Sequence, residues 1–518
     1  MITPSFSDSS MGLWLSRSFR RSATDLIECL TDPMWPINLK GMRLLFGLSI
    51  IGLILFAISF CLFPLQSDDL FMYLAMAKKY FELGHFPTTD IFLVKELPWH
   101  MEHQWLSYFF FYGLYQAGGY LLISFGKVIL LLIIMALPFL MLQKSTARFL
   151  TGGVAVILTC LAANFRFFER SEIFTNLFLV LVILICLKEL RAPSRLKWIL
   201  PSIFALWVNL HPGFPLGWII LGAAVLTSWV QLSRRDTLKL AICTVLCVLV
   251  CWLNPLGTDG VLYPLQFSQT YAAFLRQYYF EWYSPFHPLL RSSPHLPFLL
   301  MLEVFTFGLL IFNHRSKPSH KPWFQWIVFV VMSDLALTGI RFTPTFCFVM
   351  IALSLSLIPP EKILPRKSWA LAVLAFLCFG IALKNVVWGY ETISGPRQVG
   401  VGIDKRVVPF DAVEWMKAHH LQGPLYNSHM FGAYLAWAWD GKYMYDGSIT
   451  NPEYFLNEYL PFSRSPADFD RLVAKYQIQN FLLDRFADSK SMLDILTHHP
   501  GWKLVFIDEG SLIFSRQP

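Results

Sequence analysis

The chain has 518 residues, 55% of them hydrophobic, 16% aromatic and only 15% charged, with a mean hydropathy of +0.50. Charged residues make up about 25% of an ordinary soluble protein, so a soluble globular enzyme is excluded and a polytopic membrane protein remains. The net charge of +8 does not indicate nucleic acid, because Lys and Arg gathered in the loops of one side account for it.

Residues 1–42 contain Arg17, Arg20 and Arg21. They lack a compact apolar region ending in a small-residue cleavage site, so no cleavable signal is expected. Residues 11–30 read as an amphipathic helix on the cytoplasmic membrane surface. Apolar runs then follow at 43–65, 120–142, 149–165, 173–187, 196–210, 213–230, 238–253, 296–312, 323–337, 342–358 and 369–383. They predict about eleven spans, several short for a full crossing. The pair broken at His211-Pro212-Gly213 reads as two crossings or as one re-entrant hairpin.

The longest polar interruption, 66–118, follows the first run. It opens on Asp68 and Asp69 and carries Glu102 and His103. Residues 69–84 place Leu70, Tyr73, Leu74, Ala77 and Phe81 on one helical face, and 105–117 form a second, aromatic segment. Charge decides whether that segment crosses. With the N-terminus inside and 105–117 lying at the interface, the loops 143–148, 188–197, 233–239, 314–321 and 361–367 all fall inside. The inside then holds roughly 20 basic residues against roughly 8 outside, as the positive-inside rule requires. A crossing at 105–117 would invert every later loop.

Of the nine cysteines, all but Cys29 lie in apolar runs and none lies beyond Cys378, so no disulfide framework is expected. Cys243, Cys247 and Cys251 share one helix face with no His or carboxylate between them. Helix packing accounts for them better than a metal does. From residue 387 the composition becomes that of a water-soluble unit. PFDAVEWMKAHH and ADFDRLVAKY read as helices, GPLYNS and IQNFLLDR as strands, YLAWAW as a further short element, and WKLVFIDEGSLIFSR as a hairpin. The expected fold is therefore an α-helical polytopic membrane protein, N-terminus inside and C-terminus outside. Its parts are a cytoplasmic segment 1–42, a membrane domain 43–386 and an extracytoplasmic α/β domain 387–518.

This topology puts the polar residues near helix ends on one face. They are Asp68, Asp69, Glu102 and His103, then Arg166, Glu169, Arg170 and Glu172, then Asn209, His211, Asn254, Glu281, His287 and Arg341. Ionisable groups at membrane depth are costly and mark a functional cavity or a paired site. Structural readings stand beside this one. Asp68 and Asp69 suit a helix N-terminus, Arg170 can pair with Glu169 or Glu172, His211 can be a hydrogen-bonded buried imidazole, and Arg341 can snorkel. Glu281-Trp282 and Asn254-Pro255 read as loop structure rather than chemistry.

The strings SDDLFMYLAMAKKYFELGHFPTTDIF, HQWLSYFFFYGLYQAGG, RSEIFTNLFLVL, WVNLHPGFPLG, LNPLG and LYNSHMFGAYLAWAWDGKYMYDGS resemble a bacterial subgroup of the GT-C class. This class of polyprenyl-phosphate-sugar-dependent glycosyltransferases includes protein mannosyltransferases, aminoarabinose transferases and oligosaccharyltransferase catalytic subunits. The resemblance implies a multi-pass inner (plasma) membrane enzyme with its active side extracytoplasmic. It would use a polyprenyl-phosphate-linked sugar donor within the lipid bilayer. It assigns Asp68 as general base, and Asp69 as its orienting partner or as ligand of a divalent cation, Mg²⁺ or Mn²⁺. Arg170, His211 and Arg341 would neutralise the leaving polyprenyl phosphate, with Glu102 and His103 completing the substrate-binding set. Inverting transfer is implied. The chain lacks a WWD-type acceptor motif and a close copy of the HPPL-like string, which leaves the acceptor open and counts against protein N-glycosylation. The competing classes are a flippase of lipid-linked sugars, a glycan ligase or polymerase, and a non-catalytic envelope-assembly protein. A flippase calls for polar residues through the midplane, a ligase or polymerase for a late outer loop, whereas here the acidic loop comes first.

Overall fold

The structure, a computed structural model, describes residues 39–98, 103–142, 145–316, 321–359, 368–447, 451–486 and 490–517. The expected surface helix at 11–30, Cys29 and Glu102 lie outside the described residues. Among the described residues thirteen α-helices precede the tail: α1 (Leu39–Cys61), α2 (Asp68–Leu83), α3 (Trp105–Leu142), α4 (Thr146–Ala163), α5 (Glu172–Arg191), α6 (Leu200–Leu210) and α7 (Phe214–Gln231). The remainder are α8 (Arg234–Leu249), α9 (Gly257–Tyr278), α10 (Leu296–Ser316), α11 (Trp323–Thr338), α12 (Thr343–Leu357) and α13 (Ser368–Trp388).

Among the described residues, nine helices are long and apolar enough to cross a membrane. Leu196–Leu210 (α6 with the 3-10 turn before it) and Trp323–Thr338 are shorter apolar helices. At 1.5 Å per residue, about 16 residues reach only ~24 Å against a hydrocarbon core of ~30 Å. The eleven apolar runs thus all fold as helices, and nine satisfy the length criterion.

The segment expected not to cross shares α3 with the run after it, but a break inside that helix divides the two. Gly118 and Gly119 leave helical geometry, and Gly119 has φ +60 and ψ −155, a region essentially confined to glycine. The aromatic segment before the break packs on α2: Tyr73 stacks on Tyr108 at 5.0 Å and Tyr80 meets Phe109 at 5.0 Å. After the break the chain runs on through 142. One helix was not anticipated from sequence: α9 (Gly257–Tyr278) occupies much of the stretch between the runs 238–253 and 296–312.

α5 and α12 form the centre, buried along almost their whole length, and α13 lies beside α1. The outer helices keep large apolar side chains uncovered, among them Ile51, Val245, Val304 and Phe376. Such a belt is a liability in water and an ordinary surface in lipid. At the bundle end opposite the long loop, basic residues of the basic loops cap helix C-termini. Arg148 donates to the carbonyls of Leu142 and Ile358. Arg191 donates to Ser356 at 2.7 Å, and Lys197 pairs with Glu189 at 2.9 Å. Cys243, Cys247 and Cys251 are fully buried. The thiols of Cys243 and Cys251 donate to the carbonyls of Lys197 and Cys247, as helix packing requires.

Beyond α13 the chain forms a two-stranded hairpin, β1 (Tyr390–Thr392) with β2 (Gly395–Arg397), and then an α/β unit. Its sheet has the order β3-β4-β6-β5, with β3 (Leu425–Asn427), β4 (Asn480–Asp484), β5 (Trp502–Ile507) and β6 (Ser511–Arg516). β3 runs parallel to β4, and the other pairings are antiparallel. Helices α14 (Phe410–Ala418), α15 (Gly432–Ala438), α16 (Pro466–Tyr476) and α17 (Lys490–His498) complete it. The α16 start carries its own signal, with Ser465 accepting the Asp468 N–H and Pro466 in the first turn. The tail is stitched to the first long loop. Leu65 bridges Ile403, Leu93 bridges Tyr443, and Phe71 on α2 meets Tyr434 on α15 at 4.8 Å.

Candidate active site at one end of the bundle

The site begins with how the N-terminus of α2 is held. Ser67, at the cap position, makes no side-chain capping bond. Glu169, from another loop, instead holds the chain entering the helix, accepting the backbone N–H groups of Gln66 and Ser67, each at 3.0 Å. Its second oxygen meets Lys127 of α3 at 3.2 Å, and both side chains are 0% exposed. Lys127 also donates to the Phe63 carbonyl at 3.3 Å. This strut ties the chain at 63–67 to the loop after α4. From below, Arg397 of β2 donates to the carbonyls of Asn164 and Phe165 at 2.7 and 3.0 Å. Its guanidinium lies against the rings of Phe63 and Phe168.

Glu169 faces the core, and its neighbour Arg170 faces the cleft. The Arg170 guanidinium reaches Asp68 at 2.8 Å, Asp69 at 3.0 Å and Glu281 at 3.4 Å, and its Nε also donates to Ser67 Oγ at 3.2 Å. Arg166 pairs with Glu172 at 2.8 Å and with Glu281. Arg341 approaches Glu281 at 3.6 Å and lies 4.2 Å over the Trp282 ring. Burial alone would raise the Glu281 carboxyl, but Arg166, Arg341 and Arg170 outweigh it and hold Glu281 well below the usual range. Asp69 leaves 44% of its side-chain surface open. Burial pushes its carboxyl from 3.8 up to about 6, Arg170 opposing and Asp68 and Glu281 adding to the rise.

A second group adjoins the first. His211 follows α6, and its Nδ1 accepts from the Gly213 N–H at 3.0 Å and from the Thr175 hydroxyl at 2.7 Å. Thr175 in turn accepts from the Trp207 indole at 2.8 Å. With Nδ1 taken as acceptor, the neutral ring carries its hydrogen on Nε2. Burial, and then the charges of His103, Arg341 and Arg166, hold the His211 imidazole well below its usual pKa. A Cβ on Gly213 would meet Thr175 Oγ1 at 2.3 Å, so only glycine allows this close approach. His103 stacks on Tyr263 of α9 at 3.7 Å. Asn254 donates to the carbonyls of His103 and Val208.

The structure thus brings Asp68, Asp69, Arg170 and Arg341 into one ion-pair cluster and sets His103 and His211 beside it, while Glu102 lies outside the described residues. Sequence reasoning underweighted Glu281, which three arginines share, and missed the Lys127–Glu169 strut. It also left out Tyr279 and His429, which lie within electrostatic reach of Asp68. No metal-ligand set accompanies the acids: among the described residues no group of three or more His, Cys, Asp or Glu is placed to hold an ion. Where a cation bridging Asp68 and Asp69 would stand, Arg170 stands. The donor set as folded therefore suits an internal cation and does not fit a divalent metal at Asp69.

No family profile and no curated protein sequence matches the chain. Among solved structures, the fold matches the archaeal oligosaccharyltransferase AglB from Archaeoglobus fulgidus in complex with an inhibitory peptide and a dolichol-phosphate. The TM-score is 0.56 at 13% identity, over 85% of this chain and 69% of that one. The Archaeoglobus fulgidus enzyme tethered to an acceptor peptide containing the NVT sequon gives 0.55 at 13% identity, over 92% and 74%. Its complex with Zn and sulfate gives 0.51 at 13% identity, over 90% and 73%. The likeness is one of fold, shared with the Archaeoglobus fulgidus oligosaccharyltransferase over most of this chain.

Proposed function

We propose that this chain is an extracytoplasmic membrane glycosyltransferase that moves a sugar from a polyprenyl-phosphate carrier to an acceptor hydroxyl with inversion. The observation that carries the reading is the placement, on a GT-C fold, of Asp68 and three arginines in one cleft at one end of the bundle. Asp68 takes the proton of the acceptor hydroxyl as general base. The acceptor oxygen attacks the anomeric carbon from the face opposite the phosphate. The bond from that carbon to the phosphate oxygen breaks, its electron pair leaving on the phosphate. Arg341 and Arg170 receive the phosphate charge, planar guanidinium being suited to two-oxygen contact, and the Nε2–H of His211 adds a neutral donor. Asp69 orients Asp68 through their common partner Arg170. His103 stands at the neighbouring wall, against Tyr263, where the acceptor enters, and Glu102 is assigned to the same substrate-binding set.

The reading places the N-terminus inside, the site outside and about eleven helices in the inner (plasma) membrane, with 387–518 as an extracytoplasmic unit over the site. The acceptor is a glycolipid, a cell-envelope glycan or a protein. Mass spectrometry of envelope glycans, glycolipids and glycoproteins tests it, comparing a deletion strain complemented with wild type or with Asp68→Asn. A sugar missing in the deletion strain, restored by wild type and not by Asp68→Asn, identifies product and acceptor together. An unchanged inventory overturns the enzyme reading.

A further inference from the structure

We infer that Arg170 is the built-in cation of this site, occupying the place a divalent metal would take between Asp68, Asp69 and Glu281. The inference rests on the donor-phosphate reading above for its catalytic meaning, but not for its test. Each nitrogen of the guanidinium is committed to a different carboxylate: Nη2 to Asp68, Nε to Asp69 and Nη1 to Glu281. These acids come from two distant elements, the start of α2 and the turn Phe280–Trp282, so one side chain joins them as a shared ion would. A divalent ion needs carboxylate oxygens at about 2.0–2.6 Å from one centre, and here that centre holds a planar cation.

The position is built rather than incidental. Glu169, one residue earlier, is pinned to the Gln66 and Ser67 amides and to buried Lys127. The backbone of Arg170 is thereby registered against Asp68 by its own neighbour. Arg170 also rests over the Phe168 ring at 5.5 Å. An arginine fixed at both ends of its side chain presents a permanent positive charge to an incoming phosphate, with no ion to acquire.

The test uses the full chain in lipid nanodiscs and Mn²⁺ as the probe, followed by electron paramagnetic resonance and titration calorimetry. Wild type should bind no stoichiometric Mn²⁺, and its thermal unfolding should be the same in EDTA and in Mn²⁺. Arg170→Ala releases three carboxylates and should gain one Mn²⁺ per chain, at least about tenfold tighter than any wild-type binding, as affinity follows ligand charge. Adding Asp69→Asn to it should abolish the gain. Arg170→Gln, closer in size, serves the same purpose if the alanine variant does not fold. One Mn²⁺ per wild-type chain that Asp69→Asn removes overturns the inference, and so does a folded Arg170 variant that binds none. Neither readout depends on sugar transfer, so a failure here is distinct from a failure of the enzyme reading.

Discussion

Asp68 lies in the first turn of α2, with its Oδ1 both accepting the Asp69 N–H at 2.9 Å and facing Arg170 at 2.8 Å. Asp68→Asn preserves shape and that hydrogen-bonding geometry while removing basicity. The variant should insert and unfold like wild type, yet transfer sugar about 10²–10⁴-fold more slowly, the usual loss with a general base. Full turnover would remove Asp68 from that role. Asp69 makes a pH prediction. Its carboxyl is raised from 3.8 to about 6, so acidification protonates it near pH 6 and releases its hold on Arg170. Transfer should fall as pH drops through about 6, and Asp69→Asn should flatten that limb. The sign for folding is opposite: because the folded state holds this proton more tightly, its contribution favours folding below 3.8 and is lost as pH rises through about 6. The acid limb is therefore a change in activity and not in stability. Beneath both acids, Lys127→Met leaves Glu169 buried without its partner, which should cost about 3–5 kcal/mol. Lys127→Met with Glu169→Gln should recover part of that in thermal unfolding. Asp68, Asp69, Arg170, His211 and Arg341 were legible in the sequence because charge at membrane depth is conspicuous. Lys127 carried the same signal from inside the run 120–142 and was passed over; its partner, 42 residues away, is what no local pattern could supply. Glu281, a lone acid among aromatics, gains meaning only when three arginines surround it.

Helix α3 shows what charge counting can and cannot deliver. The positive-inside rule calls for 105–117 not to cross, and the break at Gly118 and Gly119 separates that segment from the apolar run that follows. The adjacent pair Gly118-Gly119 is a local turn signal, yet the expectation for 105–117 rested on charge rather than on this dipeptide. Gly119→Val should cost roughly 1–3 kcal/mol, the strain of a side chain at that φ and ψ. It should also loosen the tail, because Tyr120, the next residue, accepts from the Trp437 indole at 2.9 Å. A lowered unfolding temperature together with faster proteolysis beyond residue 389 checks this, and an unaffected variant would mean that the break carries no load. α9 escaped sequence reading for a different reason. GTDGVLYPLQFSQTYAAFLRQY has an internal Pro264 and mixes polar with aromatic residues, so neither a span nor a regular amphipathic stripe stands out. In the tail, strands and helices were largely legible because alternation and caps are local signals, as at Ser465-Pro466. The stitching of Leu93 to Tyr443 joins residues too distant in sequence for any local pattern to announce.

At the scale of the whole molecule, the two ends of the bundle differ in kind. One end holds the acid–arginine cluster, the histidines and the tail. The other holds Arg148 and Arg191 on helix C-termini and Lys197 paired with Glu189, with Arg234 and Arg235 at the start of α8. The basic loops and the long acidic loop thus lie at opposite ends, and whichever end faces the cytoplasm fixes the side on which chemistry occurs. The proposed extracytoplasmic placement of the site rests on retention of Lys and Arg on the cytoplasmic side, and it is open to a direct test. The eight described cysteines are buried, so with Cys29 replaced by Ser the background for thiol labelling is low. Glu391→Cys places a thiol on an exposed residue of β1 beside the site, and Arg235→Cys places one on an exposed residue at the other end. In spheroplasts, a membrane-impermeant maleimide should label the Glu391 variant at once and the Arg235 variant only after the membrane is disrupted. The reverse order would put the cluster on the cytoplasmic side, where the sugar donor, the acceptor and the direction of transfer proposed for Asp68 and Arg170 would all have to be reassigned.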